Sequence, residues 1–248
     1  MSAACVLLTR PRKESRETAR TLAARGIGSI RMPLQATRRA PASPRLAADL
    51  AFAGGASIQI FVSRAAVAAA AALAPSQLAA ADRRIAVGAA TAAALERLGW
   101  PALRAPGHAE DSDGILGLPI LQSVAGKRIA IWAAPGGRDR MAIELSRRGA
   151  DVRAVMVYRR LPQRPRPAAL RRLHQCAPDL VLSASSGLLL QALDAVLIGR
   201  GLTHLRARPI VVASPRIAAM AAALGYTKVR IARGASAQSL ASALQGES

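Results

Sequence analysis

The sequence predicts an α/β protein built as two small domains, each a doubly wound parallel sheet. Three observations carry that prediction. Short apolar runs alternate with helical stretches that stop at glycine, the same three strand–helix units occur twice, and two Pro- and Arg-rich stretches interrupt the alternation at residues 35–44 and 159–167.

The first unit opens with an apolar strand at Cys5 to Leu8 and a turn through Thr9, Arg10 and Pro11. A helix over residues 15–25 follows, stopped by Gly26, and a second strand occupies residues 29–34. Further on, the run 57–63 leads into a helix from Ala65, and the strand 84–88 into a helix over 91–99. The opening plan then returns as a strand at 128–132, a turn at 134–138, a helix at 139–148 stopped by Gly149, and a strand at 152–158. The strand 179–183 leads into a helix from about Ser186, and 210–213 into one over 214–225. Thus 5–8 pairs with 128–132, 57–63 with 179–183, and 84–88 with 210–213. The helix-stop glycines Gly26/Gly149 and Gly99/Gly225 are offset by 123 and 126 positions (149−26 and 225−99). Strands joined through helices by short turns run parallel. Because both interrupting stretches follow a strand, the chain crosses between domains twice. Residues 44–156 are expected to form one domain and residues 1–36 with 165–248 the other, with 37–43 and 157–164 as linkers and a cleft between the two bodies.

Composition bounds the function. Of 248 residues 52% are apolar, enough for two cores, but aromatics are only 2%, so the cores must be built from Ala, Leu, Val and Ile. The 35 basic residues against 14 acidic ones give a formal charge of +21, nearly all of it arginine, since only Lys13, Lys127 and Lys228 are lysines. That charge suits a nucleic acid, a polycarboxylate ligand, or a coding bias toward Ala and Arg. A nucleic-acid partner is disfavoured by the lack of aromatics interleaved with the basic residues. No apolar run is long enough to span a membrane, and Cys5 and Cys176, without metal spacing, read as buried thiols in a reducing cytoplasm. His108, His174 and His204 are far apart in sequence, so neither a metal site nor a nucleophilic triad is expected. No phosphate-cradling glycine motif follows a strand, and no cofactor is predicted.

What remains is a set of hydroxyls and guanidiniums at strand-to-helix turns. Ser63, Thr91, Ser185, Ser186 and Ser214 fall there, on the edge of a doubly wound sheet that takes ligands. Each is also a natural helix N-cap, and the two roles are compatible. Arg10, Arg138 and Arg216 occupy predicted turns on the same edge, where a guanidinium can grip a carboxylate with two bonds; Arg64 is a weaker candidate. Alignment of the halves sets Ala133 opposite Arg10 and Ile217 opposite Thr91. Tyr158, at the end of a predicted strand just before the second linker, is either a proton donor or an interface aromatic. Tyr226, after a helix-stop glycine, reads as structural.

Several of these stretches resemble the uroporphyrinogen-III synthases. Val6-Leu-Leu-Thr-Arg-Pro11 with Met32-Pro-Leu34 looks like the opening of that family. Phe61-Val-Ser-Arg-Ala-Ala-Val67 is similar to its FTSxNxV, and Gly88-Ala-Ala-Thr-Ala92 to its GxxTA. Gly136-Gly-Arg138, Val157-Tyr-Arg-Arg160, Ser185-Ser186 and Ser214-Pro-Arg-Ile-Ala218 follow in the family's order. The resemblance implies two flavodoxin-like domains on a two-stranded linker, with the active site in the interdomain cleft. It implies a monomeric, cytoplasmic, cofactor-independent lyase of haem biosynthesis. The implied substrate is hydroxymethylbilane, an open tetrapyrrole with eight carboxylates, closed to uroporphyrinogen III through a spirocyclic intermediate with loss of water and inversion of ring D. It favours Tyr158 as the catalytic group, and it leaves room for transient contact with neighbouring pathway enzymes. The alternatives are a non-catalytic two-domain anion-binding protein and a basic nucleic-acid-binding protein.

Overall fold

The structure is a computed structural model that describes residues 5–79, 81–104, 112–136, 139–175 and 179–246. The chain divides into two compact units, Met1–Ala36 with Leu161–Ser248, and Thr37–Arg160.

Unit 1 contains the strands β1 (Cys5–Leu8), β2 (Gly28–Arg31), β10 (Leu180–Ala184), β11 (Pro209–Val212) and β12 (Lys228–Ile231), in the sheet order β12-β11-β10-β1-β2, with every pair parallel. Read from the other edge this is the 2-1-3-4-5 order of flavodoxin-like folds. The inner strands β1, β10 and β11 are largely apolar because both their faces are covered. Val6 and Leu8 pack with Leu22 of α1 (Arg12–Ala23) and Ala241 of α11 (Ala237–Gln245). On the other face, Leu7 and Leu182 belong to a cluster with Leu173 of α8 (Pro167–Gln175), Leu190 and Leu193 of α9 (Gly187–Gly199) and Ile217 of α10 (Pro215–Ala223).

Unit 2 repeats the plan in a different chain order. Its sheet runs β6-β5-β4-β7-β8, again all parallel, with β4 (Ile58–Phe61), β5 (Arg83–Ala86), β6 (Leu103–Arg104), β7 (Arg128–Ala133) and β8 (Asp151–Met156). If β7 and β8 are counted first, this too is 2-1-3-4-5, so the two units are circular permutations of one architecture. β1 corresponds to β7, β10 to β4 and β11 to β5, which is the pairing that the duplicated segments predict. Ile58, Ile60, Ile129 and Ile131 face Met141 and Leu145 of α7 (Arg140–Arg147). Phe61, Trp132 and Val155 face Ala53 of α2 (Pro44–Gly54), Val67 of α3 (Arg64–Leu73) and Leu95 of α5 (Ala89–Glu96). The short helices α4 (Pro75–Ala79) and α6 (Ser112–Leu116) and a 3-10 turn at Pro119–Leu121 also belong to this unit. β3 (Gln35–Arg39) and β9 (Tyr158–Pro162) pair as a separate two-stranded ribbon.

The strand that leads out of the unit 2 sheet differs from its sequence reading. The strand expected over residues 152–158 ends at Met156, and Tyr158 opens β9 instead. Val157 makes the exit: its N–H still donates to Ala133 of the sheet, while its carbonyl accepts from Ala40 at the foot of the ribbon. An apolar Val-Tyr pair reads as strand in either place, so the break is set by tertiary pairing.

The helix-stop glycines differ in what surrounds them. Gly149 has φ +82, and a Cβ there would lie 3.2 Å from both Cα and Cβ of Ala125; Gly26 has φ +71 with nothing within 4 Å of that position. Gly26→Ala is therefore expected to cost only the left-handed penalty, about 1 kcal/mol. Gly149→Ala adds a backbone clash and should cost about 1–2 kcal/mol more. Urea denaturation of the two variants measures the difference.

Candidate active site

The C-terminal ends of β1 and β10 are where unit 1 changes winding direction, since β1 leads to α1 on one face and β10 to α9 on the other. In such sheets this divergence leaves the ligand crevice. Buried hydroxyls stitch the two strands together just beneath it: Thr9 Oγ1 donates to the Ser183 carbonyl at 3.0 Å, and Ser183 Oγ donates to the Leu7 carbonyl at 2.5 Å. Above them a cavity is lined by Arg10, Ser183, Ser185, Val212, Ala232 and Ser236, among others. The Arg10 guanidinium is held there by a 2.7 Å bond from Nη1 to the Ala235 carbonyl.

Ser186 and Ser214 are N-caps of α9 and α10, accepting from Leu189 N at 3.3 Å and Ile217 N at 3.4 Å. Both hydroxyls remain only partly buried. Arg216 lies one step further on than predicted, inside the first turn of α10 and exposed, because Ser214 takes the cap and Pro215 begins the helix. A side chain at Gly187 would come within 3.5 Å of Arg216 Nη1, which sets this guanidinium against the first turn of α9. Arg10, Ser185, Ser186, Ser214 and Arg216 thus share one edge of the unit 1 sheet.

The matching point in unit 2 is the divergence of β4 and β7. Ser63, two residues beyond the end of β4, caps α3 by accepting from Ala66 N at 3.2 Å. Its Oγ also meets the Tyr158 Oη at 3.0 Å. Tyr158 is 1% exposed, and its ring belongs to the cluster around Phe61 and Trp132. Arg160 Nη2 donates to the same phenol oxygen at 3.1 Å, with its guanidinium carbon 5.6 Å from the ring centroid. Arg160 enters the sequence reading only as part of the stretch Val157-Tyr-Arg-Arg160, with no role of its own. The signal was available, since residues two apart on a strand share a face.

Thr91 lies inside the first turn of α5 and is buried, because Gly88 takes the cap position. Arg138 lies outside the described residues, as does Cys176, while Cys5 is buried in β1. The ladder registers agree with the alignment of the halves. Leu8 pairs with Ser183, three residues before the cap Ser186, and Trp132 pairs with Phe61, two before the cap Ser63. Counting to the caps places Ala133 at the position of Arg10. Ile217 and Thr91 are each the third residue after their caps, Ser214 and Gly88.

The ion pairs elsewhere are structural in their surroundings. Arg206 grips Asp194 with two bonds of 2.8 and 2.9 Å, and this carboxylate raises the Arg206 pKa. Burial pushes the neighbouring Tyr226 phenol up, and Asp194 pushes it further. Among the described residues no cluster of three or more His, Cys, Asp or Glu could hold a metal ion, and no helix is long and apolar enough to cross a membrane.

The family profile described as uroporphyrinogen-III synthase HemD matches residues 16–242. The chain is 31% identical over 251 residues to the uroporphyrinogen-III synthase of Escherichia coli (strain K12), covering 97% of this chain and 99% of that one. Against the Salmonella typhimurium uroporphyrinogen-III synthase it is 34% identical over 167 residues, 66% of this chain and 68% of the relative. Among solved structures, the uroporphyrinogen-III synthetase of Helicobacter pylori 26695 matches with a TM-score of 0.63 at 13% identity, covering 99% of this chain and 100% of that one. A mutant uroporphyrinogen III synthase of the extremely thermophilic bacterium Thermus thermophilus matches with 0.60 at 22%, covering 99% and 97%. These two structures share the fold. With the profile spanning residues 16–242 and a relative matched nearly end to end, the chain belongs to the uroporphyrinogen-III synthase family.

Proposed function

We propose that this chain acts on hydroxymethylbilane, removes its terminal hydroxyl as water, and closes it to uroporphyrinogen III with ring D inverted through a spirocyclic intermediate. The observation that carries the reading is the hydroxyl chain Ser63–Tyr158–Arg160 at the end of β4, in a chain of this family. The substrate brings its own reactivity, because pyrrole nitrogen expels the hydroxyl and ring D is the nucleophile. Protein groups need only hold the pose and supply one proton, and positioning alone contributes several kcal/mol. No cofactor is required by this chemistry.

Arg10 and Arg216, with the hydroxyls of Ser185, Ser186 and Ser214, offer a carboxylate-binding edge in unit 1 that matches a polyanion in charge and in hydrogen-bond donors. Arg138 and Thr91 are proposed to add contacts from unit 2. Hydroxymethylbilane closes unaided to isomer I, so rapid transfer from the enzyme that forms it, in the cytoplasm and through a transient encounter, fits this function.

The test is a coupled reaction that generates hydroxymethylbilane in situ, followed by oxidation and separation of the uroporphyrin isomers. The expected result is a shift from isomer I to isomer III on adding this protein. Isomer I alone, with protein shown to be folded by circular dichroism, would refute the reading.

A further inference from the structure

The polar chain at the end of β4 has a direction. Arg160 can only donate, so its 3.1 Å bond occupies an acceptor site on the Tyr158 oxygen. Ser63 Oγ already accepts from Ala66 N, and the 3.0 Å contact between the two hydroxyls carries one proton. Two arrangements satisfy these bonds. If Ser63 donates to Tyr158, the phenol proton must point to a further acceptor. If Tyr158 donates to Ser63, the serine proton is the one left to point outward.

Burial separates them. Tyr158 is 1% exposed and packed into the core, whereas Ser63 is only partly buried at the head of α3. The hydroxyl that can reach a ligand is the serine. Resting on the function proposed above, we infer that Ser63 delivers the proton to the departing hydroxyl, with Tyr158 and Arg160 as its relay. The O–H bond of Ser63 breaks as the C–OH bond of the substrate breaks, releasing water and leaving the azafulvene cation. Tyr158 reprotonates Ser63 in the same event. The phenolate so formed sits against the Arg160 guanidinium, and a hydrogen bond from a cation strengthens as its acceptor becomes an anion. The proton lost when the new ring system regains aromaticity returns along the same path, so the cycle closes without net charge. Ser63 is then the catalytic residue that touches substrate, and Arg160 is a positioning residue acting through Tyr158.

Ser63→Asn separates this role from helix capping, because Asn caps as well as Ser but cannot pass on a proton. In the isomer assay Ser63→Asn is expected to lose about 10³-fold in kcat with KM nearly unchanged, as Tyr158→Phe does, and Ser63→Thr to recover at least about tenfold of that loss. Arg160→Met should lower kcat by about tenfold in the Ser63 background and by little in Ser63→Asn, since residues acting as a unit are non-additive. Circular dichroism melts check that each variant is folded. Wild-type activity retained in Ser63→Asn, or Arg160→Met losses that multiply independently of Ser63, would overturn the relay while leaving the enzyme's function intact. A wild-type protein yielding isomer I alone would overturn both.

Discussion

Tyr158→Phe is expected to lower kcat for isomer III formation by about 10³-fold, within the range typical of losing a positioned proton donor. The substitution leaves the ring in the cluster with Phe61, Trp132 and Val155, so no cavity opens. It removes one oxygen, and with it the phenol proton and the acceptor for Arg160 Nη2. Arg160 is exposed and rehydrates readily, so the folding cost stays near 1 kcal/mol. A KM close to wild type is expected, because the phenol is buried and contributes little to holding the substrate in the ground state. Steady-state kinetics in the coupled isomer assay, with a melt of each protein, reads both quantities. A loss confined to KM would move Tyr158 from proton transfer to binding.

The largest stability effect is expected at Trp132. It is 0% exposed, lies stacked on Phe61 with centroids 5.8 Å apart and planes 6° from parallel, and its Nε1 donates to Gln59 Oε1 at 3.2 Å. Gln59 is itself fully buried in the middle of β4, where its amide donates to the carbonyls of Ala53 and Gln77 at 3.1 and 2.7 Å. Trp132→Ala removes the largest side chain of a core otherwise rich in alanine, at about 3–5 kcal/mol, and strands the Gln59 carbonyl oxygen. The unfolding transition of unit 2 should fall by more than about 10 °C. Trp132→Phe keeps an aromatic ring against Phe61 and loses the N–H with the smaller part of the packing, so it should cost about 1–3 kcal/mol. Thermal unfolding followed by circular dichroism compares the two; equal losses would show that the bond to Gln59, and not packing, dominates at this position.

The inner sheet strands were legible because parallel strands buried on both faces leave unbroken apolar runs, as in Cys5 to Leu8 and Ile129 to Ala133. The helix stops were legible because glycine accepts the left-handed conformation found at Gly26, Gly99, Gly149 and Gly225. β12 was not, since an edge strand reading Lys-Val-Arg-Ile is mostly exposed and resembles a polar loop. Nor was α2, whose start is masked by the proline-rich approach, although Ser43 and Pro44 form an ordinary cap. In the site, the capping hydroxyls stand out because one residue type serves both local and functional ends. Arg160 does not, because in a chain with +21 formal charge only its position beside the phenol distinguishes it. Gln59 carried a signal that was available: a lone amide inside Ile-Gln-Ile-Phe must find partners wherever it is buried.

The paired ribbon also bears on how the chain is made. Unit 2 is one continuous stretch, complete once residue 160 has been synthesised, whereas β1 must wait for β10, whose Ser183 pairs with Leu8. As it leaves the ribosome, the protein is therefore expected to fold from the middle outward, with the first 36 residues idle until the last third appears. At the other end of the ribbon from the Ala40–Val157 bond, the Leu34 carbonyl accepts from Gln163 N at 2.9 Å. Once the inserted body has formed, the strands that must meet in unit 1 are no longer separated by its full contour length but start from neighbouring positions, and most of the loop-closure entropy has already been met. A lesion that slows folding of the insert would delay the outer unit as well, leaving a nascent chain with β1 and β2 but none of the rest of their sheet.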